Sequence, residues 1–193
     1  MTNFERLCIL RNSGRVVRWH SEPYWAGERQ QVGQHTFGVM LNLVAIMPKG
    51  VQPSSNLLLV ALHHDLAEQG TGDIPSPTKW KLGITEQLDK YEDFVLTRLG
   101  GKFELQDFER RLLKAADTLD YCFDATEQYM MGNRHMLHLF DRLKKHHQDR
   151  PEILEVTPKC YEIFCELCSI WNEAGMEPKM EGFASNNVRN RIL

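Results

Sequence analysis

Apolar residues recur at helical spacing along nearly the whole chain, and no stretch competes with the alternating pattern of a strand. Side chains three and four apart line one face of a helix, so such a chain buries its faces helix against helix. The expectation is an all-α bundle. Thr2 and Glu5 form a capping box for a first helix carrying Phe4, Leu7 and Cys8, which should stop near Gly14. Residues 15–33, with Pro23, Gly27 and Gly33, read as an extended or looping segment. A second helix is expected from Gln34 to Met47, ended by Pro48, Gly50 and Pro53. A third begins near Ser54 or Ser55, both good N-caps, and runs through LLLVALHHDLAEQ to Gly70. Its first half is apolar all round, which predicts a central position. The stretch GTGDIPSPTKWKLG reads as a loop, and further helices are expected over 85–99, 104–131, 134–147 and 158–174. The tail from Met176 onward is polar and expected to be mobile. No repeat and no long linker interrupts the pattern, so 1–193 reads as a single domain.

Composition bounds the function. The chain has 193 residues, 42% of them hydrophobic, enough for a sizeable core. A net charge of −3 argues against a broadly basic surface and hence against a nucleic-acid polymer as partner. It leaves room for a small phosphorylated ligand held by a few Lys or Arg side chains. Five cysteines, an odd number in a chain of this size, speak for free thiols in a reducing compartment rather than a disulfide framework. Cys165 and Cys168 form a C-x-x-C with no second pair, inside an apolar helical run, and read as core thiols. There is no signal-peptide layout and no apolar run long enough to span a bilayer, so a soluble, cytoplasmic protein without membrane partner is expected.

Of the eight histidines, His135, His138, His146 and His147 lie in a charged region and read as solvated. His64 differs. It ends an apolar run directly before Asp65, with Glu68 one turn on. Carboxylates at a helix C-terminus face the negative end of the dipole, and burying them among Leu66 and Ala67 costs several kcal/mol unless a cation compensates. A divalent metal would supply that cation, but it needs more ligands. His35 opens the second helix, and Asp117 is an acidic residue in the otherwise apolar LLKAADTLDYCF. Two His and two carboxylates suit Mn, Co, Zn or Fe better than Ca, with Mg conceivable at a second site. Such a centre leaves positions open for water and substrate.

The segments R-W-H at 18–20, Q-H-T-F at 34–37, H-H-D-L-A-E at 63–68 leading into G-T-G-D-I-P-S-P-T-K, and A-A-D-T at 115–118 occur in this order. Together they resemble the signature of the HD-domain phosphohydrolases, and more narrowly the branch holding the bacterial 5′-deoxynucleotidases and the phage deoxynucleoside triphosphohydrolases. The resemblance implies a compact HD-domain helical bundle. It implies that His35, His64, Asp65 and Asp117 hold the metal, that Glu68 is the acid–base group beside the attacking water, and that Asp73 supports it. It implies that Arg18 and Lys79 contact phosphate and that Trp19 packs on the sugar or base. The short interval from Asp65 to Asp117 looks closer to the compact phage enzymes. The expected reaction is cleavage of the 5′ Pα–O bond of a 2′-deoxynucleotide, with dATP giving deoxynucleoside and triphosphate. In a phage setting the host cytoplasm would be the location. The alternatives are a 5′-deoxynucleotidase acting on dNMPs and a non-catalytic nucleotide-binding module. The relatives suggest a homo-oligomer. Lys81, Arg110, Arg111 and Lys114 are the further cations a triphosphate could use.

Overall fold

The computed structural model describes residues 1–20, 22, 25, 27–100 and 103–176. Pro23 and the tail beyond 176, for which mobility was expected, lie outside them. The helices are α1 (Asn3–Ser13), α2 (Val32–Ile46), α3 (Ser55–His63), α4 (Glu68–Thr71), α5 (Ser76–Leu82), α6 (Thr85–Leu99), α7 (Asp107–Met130), α8 (Leu137–Asp149), α9 (Pro151–Leu154) and α10 (Pro158–Met176), with a 3-10 turn at Arg134–Met136. The fold is all-α. Among the described residues the nearest approach to a sheet is one antiparallel bridge, Val17 to Gln31, which ties the two ends of the connection between α1 and α2.

The local signals act as their chemistry dictates. Thr2 and Glu5 close the capping box of α1 reciprocally, and Gly14 caps its end. Ser54 Oγ accepts from the Leu57 amide and starts α3. In α7, Leu112, Ala115, Ala116, Leu119, Cys122, Ala125 and Tyr129 point inward, at spacings of three and four. Against this stripe lie Val39, Leu43 and Ile46 of α2, all fully buried. The fit is close because the facing side chains of α7 include two alanines, and Asn42 Nδ2 donates to the Ala116 carbonyl at 3.1 Å. Around this pair α8, α9 and α10 complete the core with Phe140, Leu154 and Trp171, whose ring stacks on Phe140 at 5.0 Å.

Several expectations change. The pair at the centre is α2 and α7, not the third helix. α3 fully buries only Leu57 and Ala61 and leaves Leu62 47% exposed, because an apolar-all-round helix here covers the side of the bundle. That helix also fails to run on to Gly70. It stops at His63, and the chain passes through a tight turn before α4. Glu68 N donates to Asp65 O at 3.1 Å and Gly70 N to Ala67 O at 3.0 Å, bonds of three-residue span that tighten the backbone. The His64 ring takes the Ala61 carbonyl at 2.7 Å, a side-chain competitor at the point where the α-helix ends. The cap after α4 is Gly72, at φ +71. Gly70 has a packing role instead, since a Cβ there would stand 1.9 Å from the Tyr91 hydroxyl.

The presumed loop after α4 contains α5, started by Pro at its first turn and closed by Gly83 in the left-handed conformation. All five cysteines are free, but Cys165 is exposed and Cys168 only half-buried, because Phe164, Leu167 and Trp171 take the inner face of α10. His147 is not simply solvated either. Its side chain is 15% exposed and lies against the Phe164 ring at 4.5 Å.

Candidate active site

α2, the turn after α3, and α7 bring four side chains to one point. His35 extends from the first turn of α2 and is fully buried. Its Nε2 lies 3.2 Å from His64 Nε2, 3.3 Å from Asp65 Oδ2 and 3.4 Å from Asp117 Oδ1. His64 Nε2 is also 3.4 Å from Asp65 Oδ2. His35, His64 and Asp117 each offer one donor atom with all three within 4.8 Å of one another.

The chemistry of this donor set fits a cation. His64 Nδ1 meets the Ala61 carbonyl, which can only accept, so Nδ1 carries the proton and Nε2 presents a lone pair. His35 Nδ1 meets Asp120 Oδ2 at 2.7 Å, so it too donates from Nδ1. Two Nε2 atoms in contact therefore need a positive charge between them. The protein's own electrostatics state the same demand with a proton. Burial alone would lower His35, but the hydrogen bonds to Asp117 and Asp120 outweigh it and raise the ring to about 9. Burial would raise Asp117, yet the His35 bond and the charges of Lys114 and His64 hold it well below the usual carboxylate range.

Beside the cluster, Arg18 Nη1 lies 3.1 Å from Asp65 Oδ2. Glu68 stands next to this pair with its Oε2 buried and without a hydrogen-bond partner. Burial, reinforced by Asp65 and Asp73, raises its carboxyl, against the pull of Arg18 and Lys79. Asp73 and Lys79 thus lie within electrostatic reach of Glu68, on the far side of the tight turn. Glu92 of α6 joins them, its carboxyl raised by burial in spite of Lys79.

Trp19, expected to pack on the sugar or base, is itself packed within the protein. It is 8% exposed and stacked on both Trp25 and Tyr121, with ring centroids 4.5 and 4.4 Å away. Its Nε1 donates to Asp124 Oδ2 at 2.9 Å. At φ +61 it turns the backbone sharply next to Arg18. The buried indole anchors the strap that presents Arg18.

Asp120, Asp124, Gln30 and Gly38 are site residues that the sequence reading passed over. Gln30 Nε2 donates to Asp120 Oδ2 at 3.0 Å. Asp117, Asp120 and Asp124 stand three and four apart on α7, a line of carboxylates on a largely buried face, and that spacing was the available signal. A cleft of about 570 Å³ opens from the cluster between α3 and α7. His64 and Asp117 of the cluster line it together with Val60, Phe103, Leu105 and Leu113, and Arg110, Lys114 and Glu104 bring charges of both signs. Lys114 Nζ reaches Asp117 Oδ2 at 2.8 Å, whereas Arg111 pairs with Asp107 on the exposed side of α7.

The family described as 5′-deoxynucleotidase YfbR-like matches residues 8–169. The chain belongs to this YfbR-like family. No curated protein matches it. Among solved structures, the PH0347 protein from Pyrococcus horikoshii OT3 superposes with a TM-score of 0.67 at 20% identity, over 86% of this chain and 99% of that one. A conserved hypothetical protein from Pyrococcus furiosus gives 0.54 at 21% identity, over 86% of this chain and 98% of that one. At such identities the likeness is one of fold. Membership of the YfbR-like family, within the HD superfamily, makes the chain a metal-dependent deoxynucleotide phosphohydrolase that works with a divalent cation. No helix among the described residues is long and apolar enough to cross a membrane.

Proposed function

We propose that the chain hydrolyses the 5′ Pα–O bond of 2′-deoxynucleoside triphosphates, with dATP the leading substrate, to give deoxynucleoside and triphosphate. The observation that carries the triphosphate reading is the cleft that joins His64 and Asp117 to Arg110 and Lys114. A monophosphate ends at the atom that reacts. A triphosphate needs space and positive charge beyond it; this cleft offers the space, and Arg110 and Lys114 stand along it, beside Glu104. The second reading, a 5′-deoxynucleotidase acting on dNMPs, is favoured by the family's own description.

His35, His64, Asp65 and Asp117 are the residues that would hold the metal, which when bound supplies a Lewis acid for the phosphoryl group and lowers the pKa of water. Water attacks Pα, and the Pα–O5′ bond breaks. Glu68, largely enclosed and with a free oxygen, takes the proton from water and returns it to O5′, so the nucleoside leaves as its alcohol. Arg18 and Lys79 bind phosphate oxygens, and Asp73 holds the charge balance around Glu68. Trp19, through its packing, sets the position of Arg18.

In this reading the 193 residues form one catalytic domain acting on a small nucleotide in the cytoplasm. A homo-oligomer is also part of the reading. Phe37, Leu41 and Val44 project from α2 at 65%, 55% and 58% exposure, on a helix with no Lys, Arg, Asp or Glu, and support an apolar contact. Incubating the cobalt-loaded chain with each dNTP and dNMP tests the function. Inorganic triphosphate from dATP supports the first reading, and orthophosphate from dNMPs with intact dNTPs moves it to the second.

A further inference from the structure

The two histidines of the cluster are held from behind in different ways. His64 leans on a backbone carbonyl, Ala61 O, supplied by the end of α3. His35 leans on a carboxylate from another helix, Asp120 of α7, at 2.7 Å. Asp120 is itself 7% exposed and receives Gln30 Nε2 at 3.0 Å on the same oxygen. Its other oxygen is seated against Gly38, one turn beyond His35 on α2, where an added Cβ would stand 1.9 Å away. A buried carboxylate has thus been given a donor on one side and a missing side chain on the other, and it meets the back of the His35 ring.

We propose that Asp120 is the positioning residue of this site, holding His35 with its Nε2 lone pair turned into the cluster, and that Gly38 exists in α2 to admit it. The inference rests on the reading of the cluster as a metal centre. α7 then contributes twice, with Asp117 as a ligand and Asp120 one turn later as the group that orients a ligand from the facing helix. An ionised acceptor makes a stronger bond to Nδ1–H than a carbonyl does and leaves the ring a better donor at Nε2. Losing such a partner typically weakens metal affinity by about 10- to 100-fold.

The test uses Co²⁺ and Zn²⁺ alone as probes, on the full chain and on Asp120→Ala and Asp120→Asn. Chelator competition should show Co²⁺ binding weakened by about 10- to 100-fold in Asp120→Ala, and less in Asp120→Asn, whose amide oxygen still accepts. The near-ultraviolet circular dichroism should be retained. In the Zn²⁺-loaded protein the downfield Nδ1–H proton resonance of His35 should move upfield in Asp120→Asn and be lost to exchange in Asp120→Ala, a signal that a merely structural role would not move. Saturating Co²⁺ should restore turnover in Asp120→Ala. Wild-type affinity in a folded Asp120→Ala, or an unmoved resonance, overturns the proposal. If Asp120→Ala does not fold, Asp120→Asn decides: unchanged affinity and resonance overturn it. A wild-type chain that binds Co²⁺ but hydrolyses no deoxynucleotide sinks the functional reading, while the affinities still decide the role of Asp120.

Discussion

Replacing Gly38 by Ala separates two effects of opposite sign. In an ordinary helix interior the change stabilises, by about 1 kcal/mol, because Gly has more backbone entropy to lose. Here the new Cβ would lie 1.9 Å from Asp120 Oδ1 and 2.9 Å from its Cγ, so the carboxylate must swing away. It then loses its bonds with His35 and Gln30, at 2.7 and 3.0 Å. A hydrogen bond to a charged group contributes about 1.5–3 kcal/mol, and two are at risk. The expected result is a net loss of about 2–5 kcal/mol once the helix gain of ~1 kcal/mol is subtracted. For a chain of this size each kcal/mol moves the midpoint by about 2–4 °C. Differential scanning calorimetry without metal reads the stability, and chelator competition reads Co²⁺ affinity, which should fall together with it. A Gly38→Ala protein that is more stable by ~1 kcal/mol and binds Co²⁺ as before would refute the reasoning, since it would mean that the Asp120 seat does no work.

Glu68→Ala should keep metal and nucleotide binding and lose turnover by about 10²–10⁴-fold, measured as kcat beside a nucleotide Kd; full activity would reassign the proton transfer. His64→Ala and Asp65→Ala should each abolish tight Co²⁺ binding while keeping the helical circular dichroism spectrum, and retained activity after chelation and dialysis would remove them from the ligand set. Asp124 offers a pH test. Burial lifts its carboxyl from 3.8 to about 7, against the Trp19 hydrogen bond. The folded state therefore holds this proton more tightly than the unfolded chain, so its contribution to stability is full below about pH 4 and is lost as pH rises to about 7. Asp124→Asn, which keeps an acceptor for Trp19, should raise stability at pH 8 by about 2–4 kcal/mol and leave it unchanged near pH 4. An equal effect at both pH values would contradict this.

Helical periodicity made the bundle legible, because every buried face writes itself into the sequence at spacings of three and four. Capping made Thr2, Gly14 and Ser54 legible, since each acts on its immediate neighbours. Hierarchy was not legible. Both α3 and α7 carry apolar stripes, and only their packing against α2 shows which one is central. The break after His63 was hidden as well, because it depends on where the His64 ring finds its acceptor. At the site, His35, His64, Asp65 and Asp117 stood out as polar residues in apolar surroundings, and the fold brings them together. Asp120 carries the same signal as Asp117, an acidic residue in an apolar run, but what it touches depends on the facing helix, and Gly38 has meaning only through a residue 82 positions away (120 − 38) on another helix. The packing of Trp19 was hidden for a similar reason: its stacking on Trp25 and Tyr121 joins residues that only the fold brings together.

The central claim is a metal-dependent cut at the 5′ Pα–O bond of a deoxynucleotide. It is tested most directly by stripping the chain with a chelator, reloading it with Co²⁺, and following dATP and dAMP by chromatography in water enriched in ¹⁸O. The account predicts deoxyadenosine free of label, label in the released phosphate product, triphosphate rather than orthophosphate from dATP, and no reaction before reloading. Label in the nucleoside, release of orthophosphate from the γ end of dATP, or undiminished turnover in the stripped protein would contradict it.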